Sequence, residues 1–150
     1  MEGAVVPELA VLDWERSRRF YCDILGFRAL YDRPEDGFSY LTLGVAALMI
    51  DQISLGRTFD SGHAPDVYPF GRGVNLQITV ADVAPLMAGL AAANWPLFLP
   101  LEDRWYRRDQ TEVGNRQFVV ADPDGYLLRF AQDLGTRPFP APACSADQTR

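Results

Sequence analysis

Few side chains in this chain can do covalent or metal chemistry, and their scarcity narrows the possibilities at once. There is no lysine among the 150 residues, since all 14 basic side chains are arginines; Schiff-base chemistry and a P-loop lysine are both excluded. The single histidine, His63, sits in the loop-like stretch Asp60-Ser61-Gly62-His63-Ala64-Pro65. A Ser/His/Asp arrangement would have to draw its base from that loop, and a metal site needing two histidines from one chain is ruled out. Two cysteines, Cys22 in an expected helix and Cys144 in an expected tail, do not make a disulfide framework. What remains is a polar set that strand alternation brings to one face: Glu8, Asn75, Gln77 and Arg129, with Met49 among them. Such a face is either exposed or lines a polar cavity. As chemistry it could bind a polar ligand, or use Glu8 as a base with Arg129 as an anion clamp. A neighbouring arginine lowers a carboxylate's pKa, which works against the base. The bland alternative is a solvated Glu8–Arg129 ion pair beside ordinary exposed amides, with Met49 as core filler.

The elements that position these residues read as one unit used twice. Residues 5–12 form a strand-like run that meets Asp13, a good N-cap, followed by an amphipathic helix through Leu25. Trp14, Tyr21, Ile24 and Leu25 share one side; Glu15, Arg16, Arg19 and Asp23 fall mostly on the other. Gly26 ends the helix at its C′ position. Strands are expected at 27–31, 38–43 and 46–51, the last two joined at Gly44. The pattern then recurs: a strand at 74–80, Asp82 as N-cap, and a helix stripe of Val83, Leu86, Met87 and Leu90, with Pro85 tolerated in the first turn. Strands follow at 97–101, 116–121 and 126–131, the last two joined by the turn Asp122-Pro123-Asp124-Gly125. The fold class is therefore α+β, a duplicated β-α-β-β-β module within one domain of residues 1–135. The modules cover about 4–51 and 74–134. A Gly/Pro/Ser/Asp-rich stretch, 52–73, is a linker or flap, and 136–150 is a loosely held tail.

Alternation assigns the faces. Val74, Leu76, Ile78 and Val80 point toward the helices, leaving Asn75, Gln77 and Thr79 on the other side. Counted back from the two caps, Val6, Glu8 and Ala10 match those three. Leu48, Ile50, Leu128 and Phe130 pack, while Met49 and Arg129 occupy equivalent places on the second face.

A 48% apolar content suits one globular core, and no run approaches the ~20 apolar residues of a membrane span. The opening residues 1–7 lack a basic region followed by an apolar stretch, so no secretory signal is expected and the protein reads as cytoplasmic. A net charge of −6 argues against nucleic-acid binding.

Several of these residues carry a family likeness. Pro7-Glu8-Leu9-Ala10-Val11-Leu12-Asp13, then Ser17, Phe20-Tyr21 and Leu25-Gly26-Phe27, resemble the opening of the vicinal-oxygen-chelate superfamily. Phe118 and Asp122-Pro123-Asp124-Gly125-Tyr126-Leu127-Leu128-Arg129-Phe130 resemble its closing strand pair. The resemblance implies two βαβββ modules curling a mixed sheet around a cavity, with a homodimer completing two pockets. Its metal-dependent members place four chelating His or Glu on inward sheet positions. Carried over, those positions here are Val6, Met49, Asn75 and Arg129, which cannot form a ligand set. With Leu48-Met49-Ile50 and the closing stretch 122–129, the chain resembles the bleomycin-resistance branch, which implies stoichiometric sequestration of a cationic, bithiazole-bearing glycopeptide, or of a similar aromatic polar ligand, with no metal or other cofactor of its own. That task asks for flat aromatics and carboxylates. The candidate aromatics are Phe38, Tyr40, Trp105 and Tyr106. The candidate acids are Glu8, Glu102 and Asp103, with Asp109 and Glu112 less favoured. The stretch 101–108 is expected as a loop forming the ligand rim, although its arginines offset its acids. The competing expectation is a metal-independent isomerase or lyase using Glu8 and Arg129.

Overall fold

The computed structural model describes residues 4–56 and 62–140. Two four-stranded mixed sheets, each with one covering helix, carry the chain. In the first, β1 (Glu8–Val11) leads into α1 (Trp14–Arg19), and the sheet is completed by β2 (Arg28–Arg33), β3 (Phe38–Leu43) and β4 (Ala46–Gln52) in the order β1-β4-β3-β2. In the second, β5 (Asn75–Val80) leads into α2 (Ala84–Ala92), followed by β6 (Leu99–Arg108), β7 (Thr111–Ala121) and β8 (Leu127–Pro138) in the order β5-β8-β7-β6. The two orders are the same topology. Each first strand pairs parallel to the last strand of its module, and the other neighbours are antiparallel.

Asp13 caps α1 through its side chain, accepting from Arg16 N at 3.0 Å. The helix widens into a π turn over Phe20–Ile24 and ends before Gly26, whose φ of 82° is in the left-handed region. Helix α2 starts one residue later than its expected cap: Val83 takes the formal cap position, and Asp82 Oδ1 accepts from Ala84 N at 2.9 Å.

The helix-facing alternation gives one core across both modules. Leu9, Val11, Leu48 and Ile50 meet Ile78, Leu128 and Phe130 in the same apolar cluster, with Phe20, Tyr21 and Leu25 from the first helical segment and Leu86 and Leu90 from α2. The large side chains sealed from water include Phe118 and Phe130, which stack with centroids 5.4 Å apart.

The largest departure from the sequence expectation is the stretch 101–108. It makes up all of strand β6 except Leu99 and Pro100, and is paired residue by residue with β7 from Glu102↔Gln117 to Arg108↔Thr111. Its charges gave it the look of a loop, yet it is an edge strand, where charged side chains are ordinary. Strand β8 likewise runs on to Pro138, past residue 135, because β7 extends to Thr111 and supplies it a partner. The tail beyond Pro140, with Cys144, and part of the stretch 52–73 lie outside the described residues, as do Met1–Gly3 of the opening segment.

Candidate functional site

The face of the first sheet turned away from the core is built by register. Glu8 pairs with Met49, and Met49 pairs on its other side with Tyr40. Phe38 pairs with Asp51 and with Arg33. A bulge between Ala29 and Tyr31 shifts the β2–β3 register so that Tyr31 faces Tyr40. These cross-strand partners share one face. They enclose a cleft of about 370 Å³ lined by Glu8, Met49, Phe38 and Tyr31, together with Arg33, Asp36 and Asp51. The cleft size lies at the small end of ligand sites.

Its aromatic wall is continuous. The Tyr31 ring stacks on Tyr40 at 5.4 Å and on Phe38 at 6.0 Å, with interplanar angles of 21° and 28°. Tyr31 keeps 45% of its surface exposed, whereas Phe38 and Tyr40 beneath are buried. Three carboxyl groups, Glu8, Asp36 and Asp51, line the same cleft, with Asp51 the cross-strand neighbour of Phe38. Burial pushes the Asp51 pKa up, and the negative charge of Glu8 pushes it further; Arg33 acts in the opposite direction. Arg33 is the cleft's basic residue, its guanidinium 3.8 Å from the Phe38 centroid and its Nε 3.2 Å from Asp36 Oδ2.

Strand β2, which supplies Tyr31 and Arg33, is tied to the helix by a polar chain. Trp14 Nε1 donates to Ser39 Oγ at 2.7 Å, Ser39 Oγ donates to Asp32 Oδ1 at 2.6 Å, and Arg18 forks onto Asp32 with its closest contact at 2.8 Å. The guanidinium and the Ser39 hydroxyl hold the Asp32 carboxyl below the usual carboxylate range, against a smaller opposing effect of burial.

The equivalent face of the second sheet carries Gln77 beside Arg129, and Arg129 beside Val119. Asn75 pairs with Leu127 one step along. Farther out on that face the buried Gln117 donates from Nε2 to Glu102 Oε1 at 3.0 Å and to Tyr106 Oη at 2.6 Å. Asp103 and Trp105 project from the opposite face of β6. Asp103 forms an exposed ion pair with Arg116 at 2.9 Å, and the Trp105 ring lies between Gly114 and the Arg137 guanidinium, 4.1 Å from its centroid. Asp109 and Glu112 lie at or beside the hairpin tip, where Glu112 pairs with Arg137.

The sequence-named residues thus fall into separate groups. Glu8, Phe38, Tyr40 and Met49 come together on the first sheet, and Asn75, Gln77, Arg129, Glu102 and Tyr106 on one face of the second. Glu8 and Arg129 sit on different sheets and form no ion pair among the described residues. Tyr31, Arg33, Asp36, Asp51 and Gln117 were not singled out by sequence. Alternation from Met49 would have found Asp51; the bulge that aims Tyr31 leaves no such signal. Two larger clefts, of about 740 and 620 Å³, are mainly apolar and include none of the sequence-named site residues.

The metal positions can be tested on the same register. It sets Glu8 rather than Val6 beside Met49, and Gln77 rather than Asn75 beside Arg129. Either choice leaves at most one carboxylate with an amide, a thioether and a guanidinium, a set that does not fit a divalent cation. Among the described residues no three His, Cys, Asp or Glu are grouped to hold one. No helix among them is long and apolar enough to cross a membrane.

Two matched βαβββ sheets with an open polar and aromatic face define a glyoxalase-like class of protein. Residues 4–130 match the model of the Glyoxalase/Bleomycin resistance protein/Dioxygenase superfamily, and the chain belongs to that family. It is 29% identical over 139 residues to a bleomycin resistance protein of Geobacillus stearothermophilus, covering 86% of this chain and 96% of the relative. Bleomycin resistance proteins of Staphylococcus aureus match to the same degree. Among solved structures, TioX from Micromonospora sp. ML1 is similar with a TM-score of 0.62 and 26% identity, over 88% of this chain and 99% of TioX. A glyoxalase-related enzyme from Fulvimarina pelagi shares the fold, with a TM-score of 0.60 at 24% identity and 88% of each chain covered.

Proposed function

We propose that this protein is a metal-independent small-molecule-binding protein of the bleomycin-resistance type, sequestering a bleomycin-like glycopeptide or a similar cationic, aromatic ligand. The observation that carries the reading is the first-sheet cleft, which brings together the Tyr31–Tyr40–Phe38 stack and the carboxyl groups of Glu8, Asp36 and Asp51. A flat heteroaromatic ring would lie on the exposed Tyr31, and the cationic part of the same ligand would meet the carboxylates. The relatives named as bleomycin resistance proteins support the ligand class. In this reading a second copy of the chain closes the cleft with its own Gln77, Arg129, Glu102 and Tyr106. This is supported by the cleft being lined by first-sheet residues and the turn following β2, with nothing contributed by the second sheet. Asp103 and Trp105 are outside the pocket so formed. An isomerase or lyase built on Glu8 and Arg129 is less well supported, because a base and its anion clamp would start on separate sheets.

The test is a titration of purified protein with bleomycin and with its copper complex, following heat and fluorescence, with the oligomeric state measured by sedimentation. Saturation near one ligand per subunit with sub-micromolar affinity (below about −8 kcal/mol) and no product supports sequestration by a dimer. Turnover of the ligand, or no binding at all, overturns it.

A further inference from the structure

The cleft already contains a cation, and it belongs to the protein. Arg33 lies at the exposed end of β2, with its guanidinium carbon 3.8 Å from the centroid of Phe38 and 5.9 Å from that of Tyr31. A cation over an aromatic face within about 6 Å is the arrangement by which proteins recognise ligand cations. Phe38 is only 5% exposed although its face of the sheet borders the cleft. The Arg33 guanidinium stands where a ligand group would approach that ring.

Its anchorage is light. Its ion pair with Asp36 is three residues away in sequence, and both side chains are nearly half exposed, at 45% and 48%. Exposed pairs of this kind contribute little and exchange readily with water. The charge balance points the same way: Glu8, Asp36 and Asp51 line the cleft with Arg33 as the one basic side chain, and Arg33 opposes the rise in the Asp51 pKa that Glu8 and Asp36 promote. Removing the guanidinium would leave an aromatic face and three carboxyl groups without a counter-charge.

We propose that Arg33 is an intramolecular occupant of the ligand-cation position, a specificity-determining residue that an incoming flat cation must displace from the Phe38 ring. The inference rests on the ligand-binding reading of this cleft and names the group it takes: a planar amidinium, guanidinium or protonated heteroaromatic ring. A bound cation of that shape reproduces what Arg33 does there. An internal occupant reduces apparent affinity by the fraction of time the position is free. A ligand group that is neutral gains nothing from the carboxylates and has no means of displacing it.

The experiment uses benzamidine and its neutral isostere benzamide, titrated calorimetrically into the full-length wild type, Arg33→Ala and Arg33→Gln. Circular dichroism confirms that each variant is folded, and the second variant covers the case in which the alanine is not. The expected result is roughly a tenfold gain in benzamidine affinity in both variants, with a smaller gain for benzamide, which meets the freed ring but gains nothing from the carboxylates. Equal or weaker benzamidine binding in the variants, or no binding in any protein, overturns the proposal and makes Arg33 a wall of the cleft. The wild-type bleomycin titration is read separately. A gain for benzamidine without bleomycin binding keeps the Arg33 inference and removes the drug, and bleomycin binding without the gain does the reverse.

Discussion

The phenolic hydroxyl of Tyr21, on the π turn that ends the first helical segment, donates to Asp122 Oδ2 at 2.8 Å across 101 positions of sequence. Both groups are buried, Tyr21 completely and Asp122 to 2% exposure. Asp122 also accepts at Oδ1 from the backbone N–H groups of Asp124 and Tyr126, each at 2.9 Å. The Asp-Pro-Asp-Gly stretch that reads as a simple turn is therefore a joint between the modules. Two more bonds reinforce it: Tyr126 Oη donates to Ala10 O at 2.9 Å, and Ser17 Oγ to Asp124 Oδ2 at 3.4 Å. This joint fixes the helix of one module on the β7–β8 turn of the other, and so fixes how the two sheets are held.

Burial raises the Asp122 pKa to about 6, partly offset by the Tyr21 and backbone hydrogen bonds. Between an unfolded value near 3.8 and that folded value the native state holds more protons than the unfolded chain, so stability falls as pH rises through the window. In Asp122→Asn the amide oxygen keeps both backbone donors and the NH₂ group faces the Tyr21 oxygen, with nothing left to ionise. Thermal unfolding of the variant should change less between pH 4.5 and 7 than that of the wild type. Parallel pH profiles would show that Asp122 is not the group responsible.

Gly114 is a β7 residue whose substitution strand propensity alone would favour. An added Cβ there would sit 2.8–2.9 Å from the ring carbons Cη2, Cζ3 and Cζ2 of Trp105, however, and Arg137 stacks on the same ring. Gly114→Val should lower stability by about 1–3 kcal/mol and shift the tryptophan emission as the ring is pushed away. A variant as stable as the wild type would mean that the Trp105–Arg137 stack yields without cost.

The Trp14–Ser39–Asp32–Arg18 chain predicts a variant that weakens the cleft from outside it. Ser39 is fully buried on the helix-facing side of β3, next in sequence to Phe38 and Tyr40. Ser39→Ala leaves the Trp14 indole N–H without its acceptor and takes from Asp32 Oδ1 one of its two donors, the other being Arg18 Nε at 3.1 Å, at a cost of about 1–3 kcal/mol. Because Asp32 lies between Tyr31 and Arg33, ligand affinity should fall together with stability. Lost stability with unchanged affinity would uncouple β2 from the site.

How far the sequence carried these conclusions depends on which residues set the geometry. The duplicated module, its caps at Asp13 and Gly26 and most of the helix-facing apolar residues were legible, because alternation and helical spacing act over a few positions; Val74 is the exception, lying just before β5 and 57% exposed. Met49 and Glu8 fell on the correct face for the same reason. The Tyr31 stack was not legible: it depends on a bulge whose effect appears only when β2 pairs with β3. Residues 101–108 misled because an edge strand and a charged loop share a composition, and the pairing with β7 that separates them is a long-range fact. The expected Glu8–Arg129 neighbourhood failed on topology, since matching faces of two modules need not meet within one chain.

The raised pKa of Asp51 gives the cleft a pH signature of its own. Burial and the charge of Glu8 make its carboxyl take up a proton at a higher pH than an ordinary aspartate, with Asp36 adding to the effect and Arg33 opposing it. A bound cation favours the ionised carboxyl, so binding and deprotonation are linked. Acidification should weaken binding of a cationic ligand, beginning above the normal carboxylate range, while a neutral aromatic ligand is unaffected. Asp51→Asn should bind the cation more weakly at neutral pH, by about tenfold for the loss of one close charge partner worth on the order of 1.4 kcal/mol, and its affinity should respond less to acidification. Calorimetric titrations of wild type and variant at several pH values make the comparison. An equal pH dependence in the two proteins would show that Asp51 is not the group responsible and leave it a structural residue of β4.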